Sequence, residues 1–272
     1  LRMATTGLVA QAHGAADADE VRSVVGRALL IGSVIAVVLV GAQAPVAWAP
    51  FAIVEASQEV EGFARSYFHI RIFAAPATLA NYVFLGLFVG LQNARAALIL
   101  QLWMNGLNVA LDLLFVIGFG WGVEGVALAT AISEYAALAL AISLARGMFT
   151  RLGGQFRRAD ILSIAELRSA MILNIDIFIR NMGVVFALAY FTAESAKMGD
   201  TILAANAVLL KVLSIASFFI DGYAYATESL AGIYAGAGGG GAAPQGGGLM
   251  LRQHIGLKYD YGNFALGVSY GR

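Results

Sequence analysis

The chain has 272 residues, 60% of them hydrophobic and 12% charged, with zero formal net charge and a mean hydropathy of +0.77. Soluble domains run near about 25% charged, so an ordinary water-soluble fold is excluded, and the neutral balance offers no electrostatic footing for nucleic acid. Without cysteine there are no disulfides or thiolate metal sites, and His13, His69 and His254 are too scattered in sequence to suggest a metal cluster.

The apolar residues fall in blocks long enough to cross a bilayer, which predicts an all-α polytopic membrane protein. The first stretch, to Ala12, is too short to span and reads as the second half of a helix, so the chain is expected to be a fragment. A polar loop from His13 to Arg27 should lead into a helix over 28–50, disturbed by Pro45 and Pro50. An acidic loop with Glu55, Glu59 and Glu61 precedes a helix over 67–92 that carries Pro76 and Asn81. Further helices are predicted over 96–118 and 123–145, separated by a tight reversal at Gly118, Gly120 and Gly122. A basic loop then runs from Arg146 to Arg168, and helices over 168–193 and 200–233 follow. That makes six complete spans plus the initial half helix.

Arginines orient the spans. With the end of the initial stub in the cytoplasm, Arg22, Arg27, Arg95, Arg146, Arg151, Arg157, Arg158 and Arg168 share that side. The opposite loops hold only Arg65 and Lys197.

Within 96–118, Gln101, Asn105, Asn108 and Asp112 recur at steps of four, three and four, which places them on one face of a helix. A carboxylate deep in a membrane costs roughly 2.5–3.5 kcal/mol, so this stripe points to a wet, ion-handling cavity. Asn108 and Asp112 can bind Na+ through oxygen or exchange a proton at the carboxyl. The alternative is an interhelical hydrogen-bond cluster. In the next helix Thr130, Ser133 and Glu134 share a face, and the Thr130 hydroxyl can complete an oxygen shell or bond its own helix; Glu134 has no assignable role. Asp176 and Arg180, spaced i,i+4 beside Asn174 and Asn181, are expected to form an ion pair or line a cavity. A second polar face holds Lys211, Ser214, Asp221, Tyr225 and Glu228, either packed or suited to organic cations. The glycines 120–125 match G-x-G-x-x-G, but they follow a membrane helix, so a turn explains them better than a dinucleotide.

Residues 4–15 (ATTGLVAQAHGA) and 226–237 (ATESLAGIYAGA) match at Ala4/Ala226, Thr5/Thr227, Leu8/Leu230, Gly14/Gly236 and Ala15/Ala237, with six predicted helices between them. Repeated halves are usual in secondary transporters. From about Ala235 the composition becomes that of a flexible linker. Alternation around Gly262 and Asn263 then suggests a β-hairpin, so 235–272 reads as a foreign or disordered tail.

Four stretches, LRMATTGLVAQA (1–12), NVALDLLFVIGFGWGVEGVALATAISEY (108–135), LNIDIFIRN (173–181) and LAANAVLLKVLSIASFFIDGYAYATESLAG (203–232), resemble the multidrug and toxic compound extrusion (MATE) transporters, most closely the DinF-type branch. The resemblance implies a MATE-like helical bundle, an incomplete twelve-helix two-lobe fold that starts in helix 2 and ends after helix 8. Residues 1–145 would be the N-terminal lobe, 146–167 an interlobe loop, and 168–234 part of the C-terminal lobe. It implies a secondary active antiporter in a bacterial inner membrane, not an enzyme, exporting drugs or toxins in exchange for H+ or Na+. No other cofactor is implied, and the partners would be the lipid bilayer and small molecules, with a monomeric state. Asn108, Asp112 and Thr130 match the family's cation or proton site, whereas the acid usually contributed by the first helix has no counterpart. Gln101, Asn105, Asp176, Arg180, Asp221, Tyr225 and Glu228 would line the cavity. Within the same superfamily a lipid-linked saccharide flippase is the alternative; a non-transporting membrane fragment is the other.

Overall fold

The computed structural model describes residues 1–45, 47, 58–238, 256–260 and 263–267. They fall in two units, residues 1–240 and 241–272. The expected loop at Glu55, the helix end at Pro50 and the linker over 239–255 lie outside the described residues.

In the first unit, α1 (Arg2–Gly14) is followed by a three-residue connection and α2 (Ala18–Gly41). The predicted polar loop to Arg27 is therefore helical instead. Asp17 caps α2 by accepting a hydrogen bond from the Glu20 amide. Arg22 and Arg27, which marked that stretch as loop, find partners in the segment after residue 148. α3 (Gln58–Arg71) passes through a 3-10 turn (Ile72–Ala74) into α4 (Ala75–Gly90), so the helix expected over 67–92 starts earlier and is broken in the middle. Pro76 explains the break: it has no amide to give and sits in the first turn of α4, where none is needed.

α5 (Ala94–Asp112) is capped by Asn93, whose side chain accepts from the Ala96 amide. Immediately after Asp112 the chain widens into a π turn (Leu113–Gly118). Gly120 and Gly122 take positive φ values of 72° and 55° to turn into α6 (Gly122–Leu152). The basic loop is shorter than expected, because α6 runs on to Leu152 and the short α7 (Arg158–Ile161) interrupts the rest. α8 (Ile164–Lys197) and α9 (Asp200–Gly238) complete the unit. Six helical segments among the described residues are long and apolar enough to cross a membrane.

The core lies among α1, α2, α4, α5 and α6, built on Val9, Val21, Val25, Val83, Leu87, Phe88 and Leu100. α6 contributes Ala137, Ala141 and Ala145 at four-residue steps. Small side chains at that spacing let backbones approach closely where hydrophobic driving force is weak. The most apolar windows of α8 and α9, by contrast, hold no buried residue. In the second unit β1 (Gly256–Asp260) and β2 (Asn263–Gly267) pair antiparallel, with Leu257 opposite Leu266 and Tyr259 opposite Phe264.

Candidate functional site: a polar column inside the first helices

The stripe on α5 is divided by its surroundings. Gln101 is half-buried and Asn105 exposed, and neither side chain has a hydrogen-bond partner among the described residues. Asn108 and Asp112 are half-buried. Asn108 Nδ2 donates to Thr130 Oγ1 at 3.2 Å, joining α5 to α6, and Thr130 Oγ1 donates to Val126 O at 2.9 Å. With its hydrogen donated to Val126 O, the Thr130 hydroxyl accepts from Asn108 with one lone pair and keeps the other. Asp112 Oδ1 is fully enclosed and has no hydrogen-bond partner. An enclosed carboxylate oxygen without a donor is left open to a partner. The π turn begins at the next residue, a departure from α geometry that recurs at functional sites.

One turn along α6 from Thr130, Glu134 is 7% exposed. Its carboxylate is gripped by the Arg71 fork, Nη1 to Oε2 at 2.9 Å and Nη2 to Oε1 at 2.6 Å. The Thr78 hydroxyl donates to Oε2 as well, and Asn81 Nδ2 donates to the Glu134 carbonyl at 2.9 Å. Asn81 Oδ1 is buried without a partner. From sequence Glu134 had no assignable role. Its partner, Arg71, lies 63 residues away, and no local spacing could signal the pair. The hint in sequence was an arginine just ahead of Pro76 with Tyr67, and no acid, one helical turn before it.

The remaining candidates lie elsewhere. Tyr225 and Glu228 on α9 are half-buried against α1. Arg2 donates to the Tyr225 hydroxyl, with its guanidinium carbon 4.4 Å from the ring centroid. Ser229 Oγ donates to Val89 O at 2.9 Å, tying α9 to α4. Asp176, Arg180, Lys211 and Asp221 are exposed. The expected Asp176–Arg180 ion pair does not form. Arg180 Nη2 instead lies 3.8 Å from Met3 Sδ, because the guanidinium extends toward α1 rather than back along its own helix.

The repeated segments meet face to face. A Cβ on Gly14 would strike the Ile233 carbonyl, one on Gly236 the Gln11 carbonyl, and one on Gly232 the Ala10 Cβ. The matched glycines thus occupy reciprocal places in one helix crossing. No group of three or more His, Asp or Glu among the described residues is placed to hold a metal ion.

The family model MatE matches residues 1–114. The chain is 35% identical over 232 residues to the DNA damage-inducible protein F of Escherichia coli strain K12, which covers 85% of this chain and 50% of that protein. It is 28% identical over 175 residues to the DETOXIFICATION 43 protein of Arabidopsis thaliana, covering 61% of this chain and 31% of the relative. It thus spans half the length of the first relative and less of the second. Among solved structures, a MATE protein in the straight conformation superposes with a TM-score of 0.77 at 21% identity, over 86% of this chain and 53% of that one. A MOP superfamily transporter from Pyrococcus furiosus gives 0.76 at 21% identity, over 86% and 52%.

Proposed function

We propose that this chain, which matches the MatE family model over residues 1–114 and is 35% identical to the Escherichia coli relative, belongs to that transporter family and serves a secondary active antiporter exporting organic or cationic compounds in exchange for H+ or Na+. The observation that carries this reading is the enclosed, unpartnered Asp112 Oδ1 one turn from the Asn108–Thr130 bridge. Protonated, the carboxyl becomes a donor. Ionised, it presents an acceptor one turn from Asn108, whose side-chain carbonyl would complete, with the remaining Thr130 lone pair, an oxygen environment suited to a hard monovalent cation. One group that alternates between these states binds its ion or releases it as water gains access from one side or the other. That alternation is what exchange requires. The exposed Asp176, Asp221 and Lys211 and the half-buried Tyr225 and Glu228 would receive the cargo, with Tyr225 offering a ring face to a cation.

The test is dye flux. The protein reconstituted in liposomes is expected to move ethidium when a Na+ or proton gradient is imposed. Asp112→Asn, inserted equally well, is expected to lose the gradient dependence. Gradient-driven flux of normal size in that variant removes Asp112 from the mechanism and the proposal with it.

A further inference from the structure

We infer that Arg71 and Glu134 form a positioning pair for the cation site, setting the height and rotation of the α6 turn that presents Thr130. The inference rests on the proposed reading of Asp112, Asn108 and Thr130 as that site.

Thr130 and Glu134 are four residues apart on α6, so they lie on one stripe, one turn from each other. Thr130 faces α5 through Asn108, and Glu134 faces α3 and α4 through Arg71 and Thr78. The neighbouring backbone is held as well: Asn81 donates to the Glu134 carbonyl, and the Tyr135 hydroxyl donates to Phe73 O at 2.7 Å. These ties converge on the break around Pro76, where the 3-10 turn between α3 and α4 carries Phe73. A two-point guanidinium–carboxylate fork fixes orientation as well as distance, which a single hydrogen bond does not. Simple helix glue would serve at any depth. This fork acts one turn from the hydroxyl whose aim decides whether the oxygen shell closes. Its charges cancel, so it does not compete with Asp112 for a proton or a cation.

Glu134→Gln keeps the shape and two polar atoms but removes the charge that holds the fork. Arg71, with a side chain 27% exposed, can then turn toward water. The readout is the cation concentration that half-maximally raises the thermal unfolding temperature of the purified chain, since a cation bound only to the folded state stabilises it by linkage. Na+ at alkaline pH and protons without Na+ serve as separate probes. The expected result for Glu134→Gln is a half-maximal concentration raised by about tenfold, equivalent to about 1.4 kcal/mol, with the full stabilisation still reached at saturation. Thr78→Val, which removes one neutral contact, is expected to shift it in the same direction by less, and it is judged by the same criterion where Glu134→Gln does not fold. The double variant Arg71→Glu with Glu134→Arg is expected to return toward wild type.

A lower unfolding temperature with unaltered half-saturation reduces the pair to a structural bridge and overturns the inference. Where wild type responds and Asp112→Asn abolishes the response, such a result counts against the pair alone. If wild type shows no cation response, the site reading fails and the pair's role fails with it.

Discussion

Arg71 and Glu134 meet inside an apolar bundle, and two opposed energies decide what their pairing is worth. Desolvating both ions is costly, and the fork with its added Thr78 hydrogen bond offsets most of that cost. Removing one partner is then worse than removing both. Arg71→Leu, which strands a carboxylate, is expected to destabilise by about 3–5 kcal/mol, whereas Arg71→Leu with Glu134→Leu should lie near wild type. Urea unfolding of both variants in detergent reads the difference; equal losses would mean that the fork is not closed in the membrane. The residue scale is also where sequence reading reached furthest. Asn108, Asp112 and Thr130 could be singled out because polar groups at helical spacing stand out against an apolar background. The link from Asn108 to Thr130 spans 22 residues and one turn; the family resemblance grouped the two, and helical spacing by itself did not. Glu134 was out of reach because its partner comes from a helix whose break was not foreseen.

At the scale of elements, the N-terminus of α2 and the segment after α6 form one assembly. Arg22 donates to the Phe149 and Gly153 carbonyls at 2.7 Å each, and its guanidinium lies 4.8 Å and 5.0 Å from the Phe149 and Phe156 rings. Asp19 accepts from the Gln155 amide at 2.7 Å and pairs with Arg157. Arg22→Ala should cost about 1–3 kcal/mol through lost charge-assisted bonds and ring contacts. It should also make residues 153–157 cleavable by trypsin at Arg157, and protection equal to wild type would deny that Arg22 holds the segment. The crossing of α1 and α9 is a second contact of this kind, and there close approach depends on glycine. Because the chain lacks cysteine, a single Ala10→Cys, at a position that is 0% exposed and whose Cβ meets Gly232, reports on that crossing. Adding Gly236→Val is expected to expose it to thiol reagents, and continued protection would show that the crossing tolerates a side chain.

On the scale of the whole molecule, contacts between the two repeat-bearing helices lie toward one end. Much of α9 before Tyr225 is exposed, whereas Glu228, Ser229 and Gly232 pack on α1 and α4. The exposed acids and Lys211 therefore stand on a part of α8 and α9 with few neighbours among the described residues, where the proposed cargo would reach them. The arginine distribution sets a direction for that opening. α6 has 31 residues, about 46 Å long, enough to place its ends on opposite sides of a bilayer. Single cysteines replacing Glu124 and Arg151 test this in intact cells. A membrane-impermeant reagent is expected to label the first and spare the second, and the reverse pattern inverts the topology.

Composition and periodicity by themselves determined the number of spans, their approximate places, the stripe on α5 and the repeat that reappears at the α1–α9 crossing. All of these are local regularities, set by the length of a bilayer and the pitch of a helix. Tertiary structure alone decided where helices begin, where one breaks, that Arg71 belongs to Glu134, and that Arg180 turns from Asp176 toward α1. The reason is physical: a charge in an apolar medium accepts whichever partner the packing brings within a few ångströms, and packing joins residues that sequence distance keeps apart.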